Sequence, residues 1–147
     1  MNTVYNILWV DDDLGSIDTD IEDVREFFEG VGIEANIQTV EAQQDGSVHD
    51  QISQKLANPE LDLIMVDFKM PGMSGSELIT IIRNTDHIYL PVIFYSSVST
   101  EEIFRGVIEE ELDGVYITSR DQLSVKFDDV VGSLLKKEQT IKGHEDY

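Results

Sequence analysis

Three acids in a row, Asp11-Asp12-Asp13, close the apolar run Ile7-Leu8-Trp9-Val10. Another acid, Asp67, closes the run Leu61-Asp62-Leu63-Ile64-Met65-Val66 and leads into Phe68-Lys69-Met70-Pro71-Gly72-Met73-Ser74-Gly75. If both runs are parallel strands of one open sheet, their acids emerge on the same side, where such sheets bind ligands. Carboxylates crowded at a buried strand end are costly, so they hold a cation or take up protons. A hard, oxygen-seeking cation such as magnesium suits an all-carboxylate donor set.

The elements that must position these acids can be read from the spacing of apolar residues. Strands are expected at Tyr5–Val10, Ala35–Val40, Leu61–Val66, Pro91–Tyr95 and Gly114–Thr118. Helical stripes lie between them. Ile17, Ile21, Val24, Phe28 and Val31 form the first, and Val48, Ile52 and Leu56 the second, which ends at Asn58-Pro59. Leu78, Ile79, Ile81 and Ile82 follow the capping box Ser74-Gly75-Ser76-Glu77, and Ile103, Phe104, Val107 and Ile108 follow a second box, Ser99-Thr100-Glu101-Glu102. The last stripe, Phe127, Val130, Val131, Leu134 and Leu135, is expected to start near Asp121. Strands alternating with helices imply an α/β fold, a parallel sheet covered on both faces. One domain is expected over 1–137, with a polar tail over 138–147.

Composition narrows the function. Ten Lys and Arg stand against thirty Asp and Glu, a net charge of -20. Binding to a phosphate backbone needs clustered basic residues, so nucleic acid is not an expected partner. Most of the acids read as solvated helix surface, Asp18, Asp20, Glu22, Asp23, Glu26 and Glu29 among them. There is no cysteine, which excludes disulfides, zinc–thiolate sites and thiol catalysis. No signal-peptide pattern is present, and the apolar runs fall short of the roughly 18 residues that a membrane span needs. A cytoplasmic protein, not a membrane one, is expected.

The stretch Asp62-Leu63-Ile64-Met65-Val66-Asp67-Phe68-Lys69-Met70-Pro71-Gly72-Met73-Ser74-Gly75, with the acids at Asp11 and Asp12, resembles the receiver domains of two-component response regulators. The resemblance runs from about Tyr5 to Leu135. It implies a flavodoxin-like, doubly wound five-stranded parallel sheet of order 2-1-3-4-5 with five helices. It also implies that Asp67 is the phosphoacceptor and that Mg2+ is held by Asp11, Asp12, Asp67 and the backbone carbonyl of Lys69. Ser96 would be the hydroxyl that meets the phosphoryl group, with Ser97 the small residue after it, and Tyr116 the aromatic that moves with the switch. Pro71 and Gly72 would shape the loop, and Gly75 would let the next helix start close beside it. The implied partners are a sensor histidine kinase or a histidine phosphotransfer protein, with output through a separate effector. A homodimer through helix 4, strand 5 and helix 5 is a further implication, with Arg105, Tyr116 and Lys126 near that face.

One departure from the family is plain. Strand five should end in Lys-Pro, but the chain reads Tyr116-Ile117-Thr118-Ser119-Arg120-Asp121. Thr118, Ser119 or Arg120 stands where the lysine belongs, and a guanidinium is not interchangeable with an ammonium. This predicts a receiver that accepts phosphate but couples it to switching in an atypical way.

Two other functions fit parts of the sequence. A receiver-like interaction module that is never phosphorylated would account for the missing lysine. A haloacid-dehalogenase-type phosphatase would use Asp11 as nucleophile and Asp13 as acid, but it leaves Asp67 and its loop unexplained. The chain is otherwise expected not to be an enzyme beyond its own phosphorylation and dephosphorylation at Asp67. His49, His87 and His144 are isolated and read as surface residues, and Asp13 reads as a turn residue.

Overall fold

The structure is a computed structural model and describes residues 4–43, 45, 47–68, 72–73, 75–96 and 114–145, those at 76 and 138–145 by their backbone alone. Five strands, β1 Val4–Asp11, β2 Glu34–Glu41, β3 Leu63–Asp67, β4 Val92–Ser96 and β5 Val115–Ser119, form one sheet. Its order is β2-β1-β3-β4-β5 and every pairing is parallel. The described residues contain four α-helices: α1 Asp18–Gly30, α2 Val48–Leu56, α3 Gly75–Asn84 and α4 Leu123–Glu145. The helix expected after Ser99, with Arg105, lies outside the described residues, as do Lys69, Pro71, Ser97 and the capping Ser74.

Period-two alternation sorts each strand's side chains into two cores. Leu8, Val10, Ile64, Val66, Val92, Phe94 and Ile117 pack on one face with Ile52 and Leu56 of α2 and Leu78, Ile79 and Ile82 of α3. Ile7, Trp9, Leu63, Met65, Ile93 and Tyr95 pack on the other with Val24 and Phe28 of α1 and Phe127 and Val131 of α4. On that second face the rings of Phe27, Phe28 and Phe127 meet edge to face.

Where the element bounds differ from the sequence expectation, local hydrogen bonds explain it. β3 begins at Leu63 rather than Leu61 because the Asp62 carboxylate accepts the Asn6 backbone N–H at 2.8 Å, which anchors the chain just before the strand. The last helix begins at Leu123 because a 3-10 turn, Arg120–Gln122, intervenes. α4 runs on to Glu145, past residue 137. No helix among the described residues is long and apolar enough to cross a membrane.

At the amino ends of the strands, buried Arg83 ties the end of α3 to the segment that leads into β4. Its Nη1 donates to the Ile88 carbonyl at 2.7 Å and its Nη2 to the Leu90 carbonyl at 2.8 Å. The acids lie at the opposite, carboxyl ends.

Candidate functional site

The sheet register sets out the site as a row. β1 pairs β3 through Val10 and Val66, so Asp11 and Asp67 stand one position further along neighbouring strands. Asp67 pairs with Tyr95, and Tyr95 with Thr118. The row across the strand ends is therefore Asp11, Asp67, Tyr95, Thr118. Carboxylate oxygens of Asp11, Asp12 and Asp67 lie within 4.8 Å of one another. Three oxygen donors at that spacing fit a divalent cation of the hard class.

Asp11 is 1% exposed, and its two oxygens are both engaged. Oδ2 accepts the Tyr95 hydroxyl at 2.5 Å and Arg120 Nη2 at 3.2 Å. Oδ1 accepts the Asp13 backbone N–H at 2.8 Å. Burial pushes the Asp11 carboxyl above its ordinary range, while the Tyr95 hydroxyl, the Asp13 amide and the Arg120 charge pull it down and neighbouring Asp12 raises it; the net direction is upward. Burial, reinforced by donation to Asp11, holds Tyr95 far above the ordinary phenol range, so it stays protonated and donating. Trp9 Nε1 in turn donates to the Tyr95 hydroxyl at 3.0 Å. The result is a chain from the core to the acids: Trp9, Tyr95, Asp11.

Arg120 follows β5 directly and reaches back over the site. It lies over the Tyr95 ring, 5.3 Å from its centroid, and also donates to Ser16 Oγ at 3.0 Å. Of the three residues that stand at the lysine's place, Arg120 is the one whose charge meets an acid of the group. Thr118 is buried in the row beside Tyr95, and Ser119 pairs with Ser96 across β4 and β5.

Ser96 ends β4 and is buried, one residue past Tyr95. Its alternation places it out of phase with Asp67, while Tyr95 is in phase. Tyr116 packs on the α1–α4 side, with Lys126 Nζ 5.7 Å from its ring centroid. Asp13 is a turn residue: its carbonyl accepts the Ser16 N–H at 3.1 Å and the Ser16 hydroxyl at 2.7 Å. After Asp67, the Phe68 N–H donates to the Tyr95 carbonyl and the Gly75 N–H to the Phe68 carbonyl, each at 2.8 Å. Gly75 is needed there, because a Cβ would stand 2.9 Å from both the Phe68 and the Phe94 ring.

Sequence reasoning did not single out Tyr95 or Ser16. Tyr95 carried one signal: it lies directly before the predicted hydroxyl residue, on the strand that must neighbour Asp67 in a 2-1-3-4-5 sheet. Ser16 carried none, since its role depends on where Arg120 points.

Comparison with known proteins agrees with this geometry. The model of the response regulator receiver domain matches residues 7–118. No curated protein matches. Among solved structures, the signal receiver domain of an HD-domain protein from Pseudomonas fluorescens is similar at a TM-score of 0.58 and 16% identity, over 92% of this chain and 98% of that one. A receiver protein from Pseudomonas putida is similar at 0.59 and 18%, over 90% and 99%. A CheX–CheY complex with BeF3 and Mg2+ from Borrelia burgdorferi is similar at 0.58 and 22%, over 89% of each chain. These likenesses establish the fold, and the match over residues 7–118 establishes the family: the chain belongs to the response regulator receiver domains.

Proposed function

We propose that this protein is a phosphoacceptor of two-component signalling, with Asp67 as the residue phosphorylated. The observation that carries the reading is the meeting of Asp11, Asp12 and Asp67 within 4.8 Å at the carboxyl ends of β1 and β3. A carboxylate oxygen of Asp67 attacks phosphorus in line. The new O–P bond forms as the P–N bond of a partner's phosphohistidine breaks, and its electron pair passes to the imidazole nitrogen. Asp11, Asp12 and Asp67 would hold Mg2+, with the Lys69 carbonyl as a further ligand. When bound, such an ion would supply charge compensation for phosphoryl transfer. Ser96 donates its hydroxyl to a phosphoryl oxygen. Arg120 contributes the positive charge that a lysine contributes elsewhere in the family, and Tyr116 responds to Ser96.

The donor is a sensor histidine kinase or a histidine phosphotransfer protein, in the cytoplasm. The product is a changed surface read by a separate effector. The family's helix 4, strand 5 and helix 5 face serves that effector or a second copy. The Borrelia burgdorferi CheY, seen with CheX, BeF3 and Mg2+, supports a phosphoryl and metal site on this fold. The phosphatase reading gains nothing from Asp13, whose backbone is bound into the turn and whose carboxylate is not in the acid group.

The test is incubation with Mg2+ and acetyl phosphate, followed by intact mass. One phosphoryl group on wild type that hydroxylamine removes, absent from Asp67→Ala, is the expected result. Wild type that gains no mass would instead favour the interaction module.

A further inference from the structure

A carboxylate offers about four lone-pair positions in all. On Asp11, three are already used: two on Oδ2, by Tyr95 and Arg120, and one on Oδ1, by the Asp13 amide. Among the hydrogen bonds of the described residues, one position remains, on Oδ1. The oxygen held twice cannot turn toward an ion without losing a bond to a buried hydroxyl that is itself fixed by Trp9.

We infer that Tyr95 is a positioning residue that, with Arg120, restricts Asp11 to binding a cation through a single oxygen and so sets the site's preference for Mg2+ over Ca2+. This rests on the acidic group being a metal site, as proposed above. Mg2+ takes one oxygen per carboxylate in a tight octahedron at about 2.0–2.1 Å. Ca2+ takes more oxygens at about 2.3–2.6 Å and readily chelates both oxygens of one carboxylate. A carboxylate whose Oδ2 is held by two donors therefore denies Ca2+ its bidentate mode and leaves Mg2+ what it needs. The hold is rigid because Tyr95 is fully buried in the α1–α4 core, between Trp9 and the Arg120 guanidinium.

The experiment is calorimetric titration of the whole protein with Mg2+ and, separately, Ca2+, for wild type, Tyr95→Phe, Arg120→Ala and Phe28→Leu. Tyr95→Phe keeps the ring and removes the donor. Arg120→Ala removes the second donor from the same oxygen without entering the core. Phe28→Leu perturbs the same core layer without touching Asp11. The expected result is that the ratio of Mg2+ to Ca2+ affinity falls at least threefold in Tyr95→Phe and in Arg120→Ala, and stays at the wild-type value in Phe28→Leu. A ratio within twofold of wild type in both donor variants overturns the inference while leaving the metal site standing. An equal fall in Phe28→Leu also overturns it, since core damage alone would then be the cause. Wild type that binds neither ion overturns the metal site itself, and the inference with it.

Discussion

Arg120 Nη2 stands 3.2 Å from Asp11 Oδ2, joining the first residue past β5 to the last residue of β1 across 109 positions of sequence. The pair brings a cation to the acids from a strand end where the family's lysine is missing. Asp11 is sealed from solvent, while Arg120 is 29% exposed, so the contact is only partly screened.

Replacing Arg120 with Ala should therefore slow phosphorylation of Asp67 by acetyl phosphate. Loss of a single charged donor from a buried transition-state site costs on the order of 100-fold or more. Partial exposure reduces this to about tenfold here. Single-turnover rates by intact mass would measure it, and an unchanged rate would remove Arg120 from the chemistry.

Asp11 should make the metal-free protein less stable as pH rises. Its folded-state pKa lies above the 3.8 of an ordinary Asp, so over the interval between those values the native state binds more protons than the unfolded chain. Its contribution is complete below 3.8 and is lost as pH climbs through the folded-state value. Asp11→Asn, which cannot titrate, should gain in Tm relative to wild type as pH rises above 3.8 with a chelator present. A gap that stays constant over that range would contradict the assignment.

Gly75→Ala should destabilise despite the better helix propensity of Ala. The added Cβ would press on the Phe68 and Phe94 rings, which meet edge to face with centroids 5.5 Å apart. Overpacking of this kind costs about 1–3 kcal/mol, against a gain of about 1 kcal/mol from propensity. Urea denaturation would show the midpoint falling, and a rising midpoint would mean that the rings give way freely.

Arg83→Met should cost about 1–3 kcal/mol, since two half-buried carbonyls lose a charged donor. Arg83 sits at the far ends of the strands from the acids. The rate of Asp67 phosphorylation in the folded variant should therefore stay at the wild-type value, which the same mass assay would check.

The strands were legible in the sequence because each is a short apolar run separated from the next by a helical stripe, while their order came only with the resemblance carried by residues 62–75 and the acids at 11 and 12. The acids were legible too, because a carboxylate directly after such a run has no core to enter. Tyr95 was hidden because a tyrosine at a strand end reads as one more core ring. Its hydroxyl finds its partner 84 residues away, a distance that no local spacing encodes. Arg120 appeared only as one of three alternatives, because the 3-10 turn that aims it at Asp11 leaves no distinct pattern in Arg120-Asp121-Gln122. The start of β3 depended on the Asn6–Asp62 hydrogen bond, again a tertiary contact.

The chain contains one tryptophan, and that tryptophan is the inner end of the hydrogen-bonded chain that reaches Asp11. Trp9 is wholly enclosed, so its emission should be blue-shifted and steady until Tyr95 moves. The molecule thus carries its own optical gauge: whatever tugs on Asp11 from outside should change the light from a ring that no solvent or ligand can touch.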